Sequence, residues 1–147
     1  MKVLIDADGC PVVDITVTLC RQYALPCRIL CDTAHEIHKP GAQTLVYDKG
    51  SDSVDYALVN QVSRGDIVIA QDYGLASMCL ARGAKVIHQD GWEYTVNNID
   101  ALLVVRHNSR KHRASGGRVK GPKKRTAEQN STFSDALNHL LQTSVQG

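Results

Sequence analysis

The sequence predicts an α/β fold: a mainly parallel, doubly wound sheet of about five strands flanked by helices. Short apolar runs alternate along the chain with stretches of helical periodicity. The stretches between runs are long enough for right-handed crossovers between parallel strands. The 147 residues, 43% hydrophobic, suit a single compact domain spanning residues 1–147.

The elements follow in order. Residues 2–6 read as a strand, and Pro11 suits a first helical position, after which Val12, Ile15, Leu19 and Tyr23 recur at helical spacing until Leu25-Pro26 stops them. Residues 27–31 are a second strand ending at Asp32. A polar stretch with His35, His38, Pro40 and Gly41 leads to a third strand at 44–47, ending at Asp48. Ser51 or Asp52 caps a helix running to about Val62 and closed by Ser63-Arg64-Gly65. Residues 66–70 are the fourth strand, 73–82 a helix ended by Gly83, and 85–87 the fifth strand. Asn97 or Asn98 can cap a short helix through Ile99, Leu102 and Leu103. Phe133, Leu137, Leu140 and Leu141 mark an amphipathic terminal helix at about 129–142.

Between those last two helices lies a basic, Gly-rich loop or arm at about 106–126. Nine of the 17 Lys and Arg fall in it without one Asp or Glu, which leaves the rest of the chain 8 basic residues against 15 acidic. An acidic body with a basic segment suits a phosphate polymer, RNA or DNA, better than a small neutral substrate. Arg113, Arg118, Lys120, Lys123, Lys124 and Arg125 are the candidate phosphate contacts, against the alternative of a solvated loop.

After Met1-Lys2 the apolar stretch is broken at once by Asp6 and Asp8, which argues against a signal peptide, and no apolar run approaches membrane-spanning length. A cytoplasmic protein is the expectation. Its five cysteines are odd in number and lack CxxC spacing, so they are read as small reduced hydrophobes rather than a disulfide framework or zinc site. His35 and His38 lie in a polar loop without partners at metal spacing. Trp92 and Tyr94 read as core or edge packing as readily as base-stacking groups.

The chemistry-bearing feature is a set of aspartates. Asp6 and Asp8 end the first apolar run, Asp52 and Asp55 open a helix, and Asp72 follows the fourth run. If those runs are neighbouring parallel strands, the carboxylates gather at one sheet edge, where open α/β folds place their sites. Gathered carboxylates repel one another, and a hard divalent cation, Mg2+ or Mn2+, relieves the repulsion. Each acid has a plainer alternative: Asp52, Asp55 and Asp72 in capping arrangements at helix starts, Asp6 and Asp8 as a solvated strand end.

The runs Val3-Leu4-Ile5-Asp6-Ala7-Asp8-Gly9-Cys10-Pro11-Val12, Gly50-Ser51-Asp52-Ser53-Val54-Asp55-Tyr56, Gly65-Asp66-Ile67-Val68-Ile69-Ala70-Gln71-Asp72-Tyr73-Gly74-Leu75-Ala76 and Gly116-Gly117-Arg118-Val119-Lys120-Gly121-Pro122-Lys123-Lys124-Arg125 resemble the bacterial YaiI/YqxD family. That family is grouped with PIN-like domains, whose members include metal-dependent ribonucleases. The resemblance implies that Asp6, Asp55 and Asp72 hold metal, with Asp8 and Asp52 auxiliary. PIN nucleases commonly offer a further downstream acid, for which Asp90 is the candidate here. The implied function is Mg2+- or Mn2+-dependent hydrolysis of RNA phosphodiesters, with Asp6, Asp8, Asp55 and Asp72 catalytic and the basic arm on the backbone.

Two other classes compete. Asp6-Ala7-Asp8-Gly9 is similar to the nucleophile motif of haloacid-dehalogenase-type phosphatases, in which Asp6 would form an acyl phosphate and Asp66 and Asp72 would serve Mg2+. Against it, Asp66 precedes its strand and so falls at the opposite sheet edge from Asp6. The third class is a non-catalytic RNA-binding protein using the basic arm.

Overall fold

The computed structural model describes residues 1–50, 53–99 and 124–146. β1 (Val3–Asp6), α1 (Val13–Gln22), β2 (Cys27–Asp32), β3 (Gln43–Tyr47), α2 (Ser53–Gln61), β4 (Ile67–Ile69), α3 (Tyr73–Ala81), β5 (Lys85–Ile87), β6 (Glu93–Tyr94) and α4 (Ala127–Gln146) follow in that order. The six strands lie in the order β3-β2-β1-β4-β5-β6. All neighbouring pairs are parallel except β5 with β6. The α/β expectation therefore holds, with one strand more than the sequence suggested. β6 has only two residues, too few for a period-two signal, and is turned back onto β5 by the Gly91 N–H to His88 carbonyl bond at 2.9 Å.

Two helix boundaries also differ, each for a local reason. α1 begins at Val13 rather than near Pro11, because Val12 sits outside helical geometry at φ −117°, ψ 20° and caps without a side-chain bond. α4 begins at Ala127, where Thr126 and Gln129 form a reciprocal cap. The Gln129 N–H donates to Thr126 Oγ1 at 3.3 Å and the Thr126 N–H to Gln129 Oε1 at 2.8 Å. Residues 96–99 are helical, but the cap is Thr95 rather than Asn97 or Asn98: its Oγ1 accepts the Asn98 N–H at 3.2 Å and its own N–H donates to Asn98 Oδ1 at 2.9 Å. Leu102, Leu103 and most of the basic arm lie outside the described residues.

The central strands are buried on both faces, as parallel strands covered by helices must be. Val3, Ile5, Ile29, Ile67 and Ile69 pack under α1 and α4, which contribute Val13, Val17, Phe133, Leu137 and Leu141. Leu4, Leu30, Val68 and Val86 face α2 and α3, which contribute Leu58, Leu75, Ala76 and Cys79. Tyr23 Oη donates to Asn138 Oδ1 at 2.6 Å and links α1 to α4 across the first face. On the second face Arg28 Nη1 donates to Gln61 Oε1 at 3.0 Å and Gln61 Nε2 to Tyr47 Oη at 2.9 Å, so α2 is fastened to β2 and β3.

Gly91 supplies the tightest contact of the β5–β6 turn with α4. Its φ is +93°, and a Cβ there would meet the Thr132 carbonyl oxygen at 3.0 Å and its carbon at 3.1 Å. Left-handed strain and the helix backbone act together, so Gly91→Ala should lower unfolding free energy by about 2 kcal/mol or more in urea titrations. An unchanged midpoint would show that the turn and helix are not held together as described.

Candidate functional site

The strand order reverses between β1 and β4, which run parallel with Ile5 opposite Ile69. At such a switch point the connections leave in opposite directions and open a crevice beyond the carboxyl ends of the strands. A cavity of about 540 Å³ lies there, and Asp6, Asp8, Asp32, Asp55 and Asp72 line it. Asp6 is the last residue of β1, Asp32 the last of β2, Asp55 in the first turn of α2 and Asp72 the N-cap of α3. Asp72 does cap, since its Oδ1 accepts the Gly74 N–H at 3.0 Å, and it lines the cavity as well. Asp8, in the turn after β1, is 70% exposed. Asp52 lies outside the described residues.

Asp6 carries the strongest electrostatic signature. Burial, then the negative charges of Asp55, Asp8 and Asp72, push its carboxyl up from 3.8 to about 7. The same field reaches Cys79, whose thiol is pushed up to about 12 by burial and by Asp6 and Asp55. Oxygen-only donors with excess negative charge fit a hard divalent cation by type. Among the described residues, no three His, Cys, Asp or Glu groups are arranged so that they could hold one ion.

Two linkages rigidify this edge. Gln71 Nε2 donates to the Gly9 carbonyl at 2.9 Å, and Tyr94 Oη to the Gln71 carbonyl at 3.1 Å, so the loops after β1 and β4 are tied to each other and to β6. Tyr94 is thereby a buried core residue, and Trp92 stacks on His88 at 4.5 Å and packs edge-on to Tyr94.

Several candidates go elsewhere. Asp66 takes Lys2 Nζ at 2.5 Å, the Lys2 N–H at 3.1 Å and the Ser63 N–H at 2.8 Å, at the opposite end of the strands from Asp6. Burial works against its charge, but these bonds outweigh it and hold its carboxyl below the usual range. The phosphatase alternative thus lacks Asp66, one of its two Mg2+ acids, at the cavity. Asp90 does not line the cavity but accepts Arg125 Nη1 at 2.9 Å. Arg125 also donates to the Gln89 carbonyl and Asn130 Oδ1, both at 2.6 Å, and is an anchor at the foot of α4. Lys124 is exposed, while Arg113, Arg118, Lys120 and Lys123 lie outside the described residues.

Asp32 was not among the acids that sequence reading selected, although it ends an apolar run as Asp6 does. It belongs to the site because β2 lies beside β1, whereas Asp48, after edge strand β3, does not line the cavity. His35 stands next to Asp32, its Nδ1 3.1 Å from Asp32 Oδ1 and 4.0 Å from Asp8 Oδ1. His38 instead meets Glu36 at 3.3 Å.

The five cysteines are all free thiols. No helix of the described residues is long and apolar enough to cross a membrane.

Comparison with known proteins places these features in a family. Residues 4–143 match the family model described as "Uncharacterized BCR, YaiI/YqxD family". A UPF0178 protein of Exiguobacterium sibiricum is 49% identical over 141 residues, 96% of each chain. One from Ruminiclostridium cellulolyticum is 43% identical over 147 residues, all of this chain and 96% of the relative. A third, from Clostridium acetobutylicum, is 42% identical over 143 residues, 96% of this chain and 97% of the relative. With its family model matched over nearly the whole length and such relatives beside it, the chain belongs to the YaiI/YqxD family.

Proposed function

We propose that this chain is a PIN-like, divalent-metal-dependent nuclease that hydrolyses RNA phosphodiester bonds with Mg2+ or Mn2+. The observation that supports it is the cavity at the sheet's switch point lined by five carboxylates, one of them pushed up to about 7 by burial and then by its acidic neighbours. Asp6, Asp55 and Asp72, with Asp52, would hold the metal, the described three drawing together around the ion as it binds, since no three of the described groups are arranged to hold one as they stand. When bound, the ion supplies a lowered pKa for water and stabilisation of charge on the scissile phosphate. Asp8, the most open of the acids for which exposure separates rim from wall, passes protons to bulk solvent. The exposed Lys124, with Arg113, Arg118, Lys120 and Lys123, would track the backbone, while Arg125 holds the end of the arm against Asp90.

The test pairs binding with cleavage. Calorimetry should show Mn2+ binding that Asp55→Asn weakens, and end-labelled single-stranded RNA should be cut with Mn2+ but not in chelator, about 100-fold more slowly by that variant. Identical isotherms, or a phosphoenzyme trapped on Asp6 with a phosphomonoester, would overturn the reading.

A further inference from the structure

We propose that His35, oriented by Asp32, donates the proton to the leaving oxygen during phosphodiester cleavage in this cavity, an inference that rests on the nuclease reading above. An RNA alkoxide leaves poorly, so a proton must reach it as the phosphorus–oxygen bond breaks, and a placed donor accelerates that step by roughly 100-fold or more. The cavity wall is dominated by carboxylates, and His35, which is not itself part of that wall and is 61% exposed, is held against one of them from the rim.

Its holder is built rather than incidental. Asp32 ends a central strand and lines the cavity. Its Oδ1 accepts the Ala34 N–H at 2.9 Å and lies 3.1 Å from His35 Nδ1, while its carbonyl accepts the His35 N–H at 3.2 Å. Side chain and backbone of one residue therefore grip the histidine together. A carboxylate at Nδ1 selects the Nδ1–H tautomer and assigns proton exchange to Nε2, the logic of carboxylate-held catalytic histidines. Asp8, from the turn after β1, stands on the same ring nitrogen at 4.0 Å, so the imidazolium form meets two carboxylates, one from each strand end. Desolvation works against the Asp32 charge, but the bonds from His35 and Ala34 outweigh it and hold its carboxyl below the usual range. Asp32 is thus the ionised partner.

In the step itself a water oxygen bonds to phosphorus as the bond to the leaving oxygen breaks. The departing electron pair takes the Nε2 proton of the His35 imidazolium, leaving the neutral Nδ1–H form on Asp32, the water's proton passes by Asp8 to solvent, and His35 recovers its Nε2 proton from solvent. One water is consumed, and a phosphomonoester and an alcohol result.

His35→Gln and Asp32→Asn would be assayed with Mn2+ on single-stranded RNA and on bis(p-nitrophenyl) phosphate, whose nitrophenolate departs without a proton. His35→Gln should lower kcat on RNA by about 100-fold, at least tenfold more than on the activated ester. Asp32→Asn should show the same bias to a smaller extent. Independently of activity, 15N-histidine NMR of the metal-free protein should give the Nδ1–H tautomer for His35, shifting toward Nε2–H in Asp32→Asn. Equal losses on both substrates, or no loss, would remove the donor role and leave the nuclease reading standing. A wild-type tautomer with Nε2–H would remove the positioning role of Asp32. Failure of the wild type to cleave either substrate would overturn the nuclease reading and this inference with it.

Discussion

In chelator at pH 8, Asp6→Asn should unfold at higher urea than the wild type, by roughly 2–4 kcal/mol of stability. The carboxyl of Asp6 is raised from 3.8 to about 7 by burial and by three neighbouring aspartates. A raised carboxyl binds its proton more tightly folded than unfolded. Its contribution to stability is therefore complete below about pH 4 and is lost as pH climbs through 7, at about 1.4 kcal/mol per tenfold change in acidity. Asparagine stays neutral and escapes that loss. The two proteins should accordingly converge at pH 4, which separates the electrostatic effect from altered packing. Mn2+ at about 1,000 times Kd should reverse the order at pH 8, since binding stabilises only a protein that holds the ion, by about 4.1 kcal/mol at that concentration. Parallel stability curves at both pH values would mean that burial and the neighbouring aspartates do not raise the Asp6 carboxyl as described.

Phe133→Ala should cost about 3–5 kcal/mol, the largest stability loss expected of a single side chain here. Phe133 is fully buried, and α4 lays it with Leu137 and Leu141 on the face of β1, β2 and β4. The backbone of Thr132 and Phe133 is also what a Cβ on Gly91 would strike. Phe133→Ala combined with Gly91→Ala should therefore cost less than the sum of the two separately, because a loosened helix relieves the clash. Strict additivity would show that the turn and the helix do not share this contact. The same helix begins beside Arg125, so loosening it also loosens the anchor on Asp90 that ends the basic arm.

How much of the site was legible depended on how local its signal was. Asp6 stands out because an apolar strand runs directly into it, and Asp55 and Asp72 because each sits at a helix start; all three line the cavity. Asp32 carried the same strand-end signal, but only the neighbour relation of β1 and β2 separates it from Asp48. His35 was legible as a polar-loop histidine and no more, since its partner depends on how the loop after β2 folds back. Arg125 read as one basic residue among nine, yet three bonds to Asp90, Gln89 and Asn130 set it apart from its neighbour Lys124. β6 and the Thr126–Gln129 cap were missed for the opposite reason: both signals are short, two residues in one case and a T-x-x-Q spacing inside a basic stretch in the other.

The sequence by itself determined the alternation of strands and helices, the two apolar faces that the central strands must bury, and the family to which the chain belongs, because periodicity, turn chemistry and motif are written in adjacent residues. Only the tertiary structure decided the order β3-β2-β1-β4-β5-β6, the union of Asp6, Asp8, Asp32, Asp55 and Asp72 around one cavity, and the retirement of Asp66 and Arg125 to structural pairs. Those outcomes turn on which strands lie side by side, and pairing between distant strands, Val3 with Cys27 on one side and with Ile67 on the other, leaves no local trace in either one.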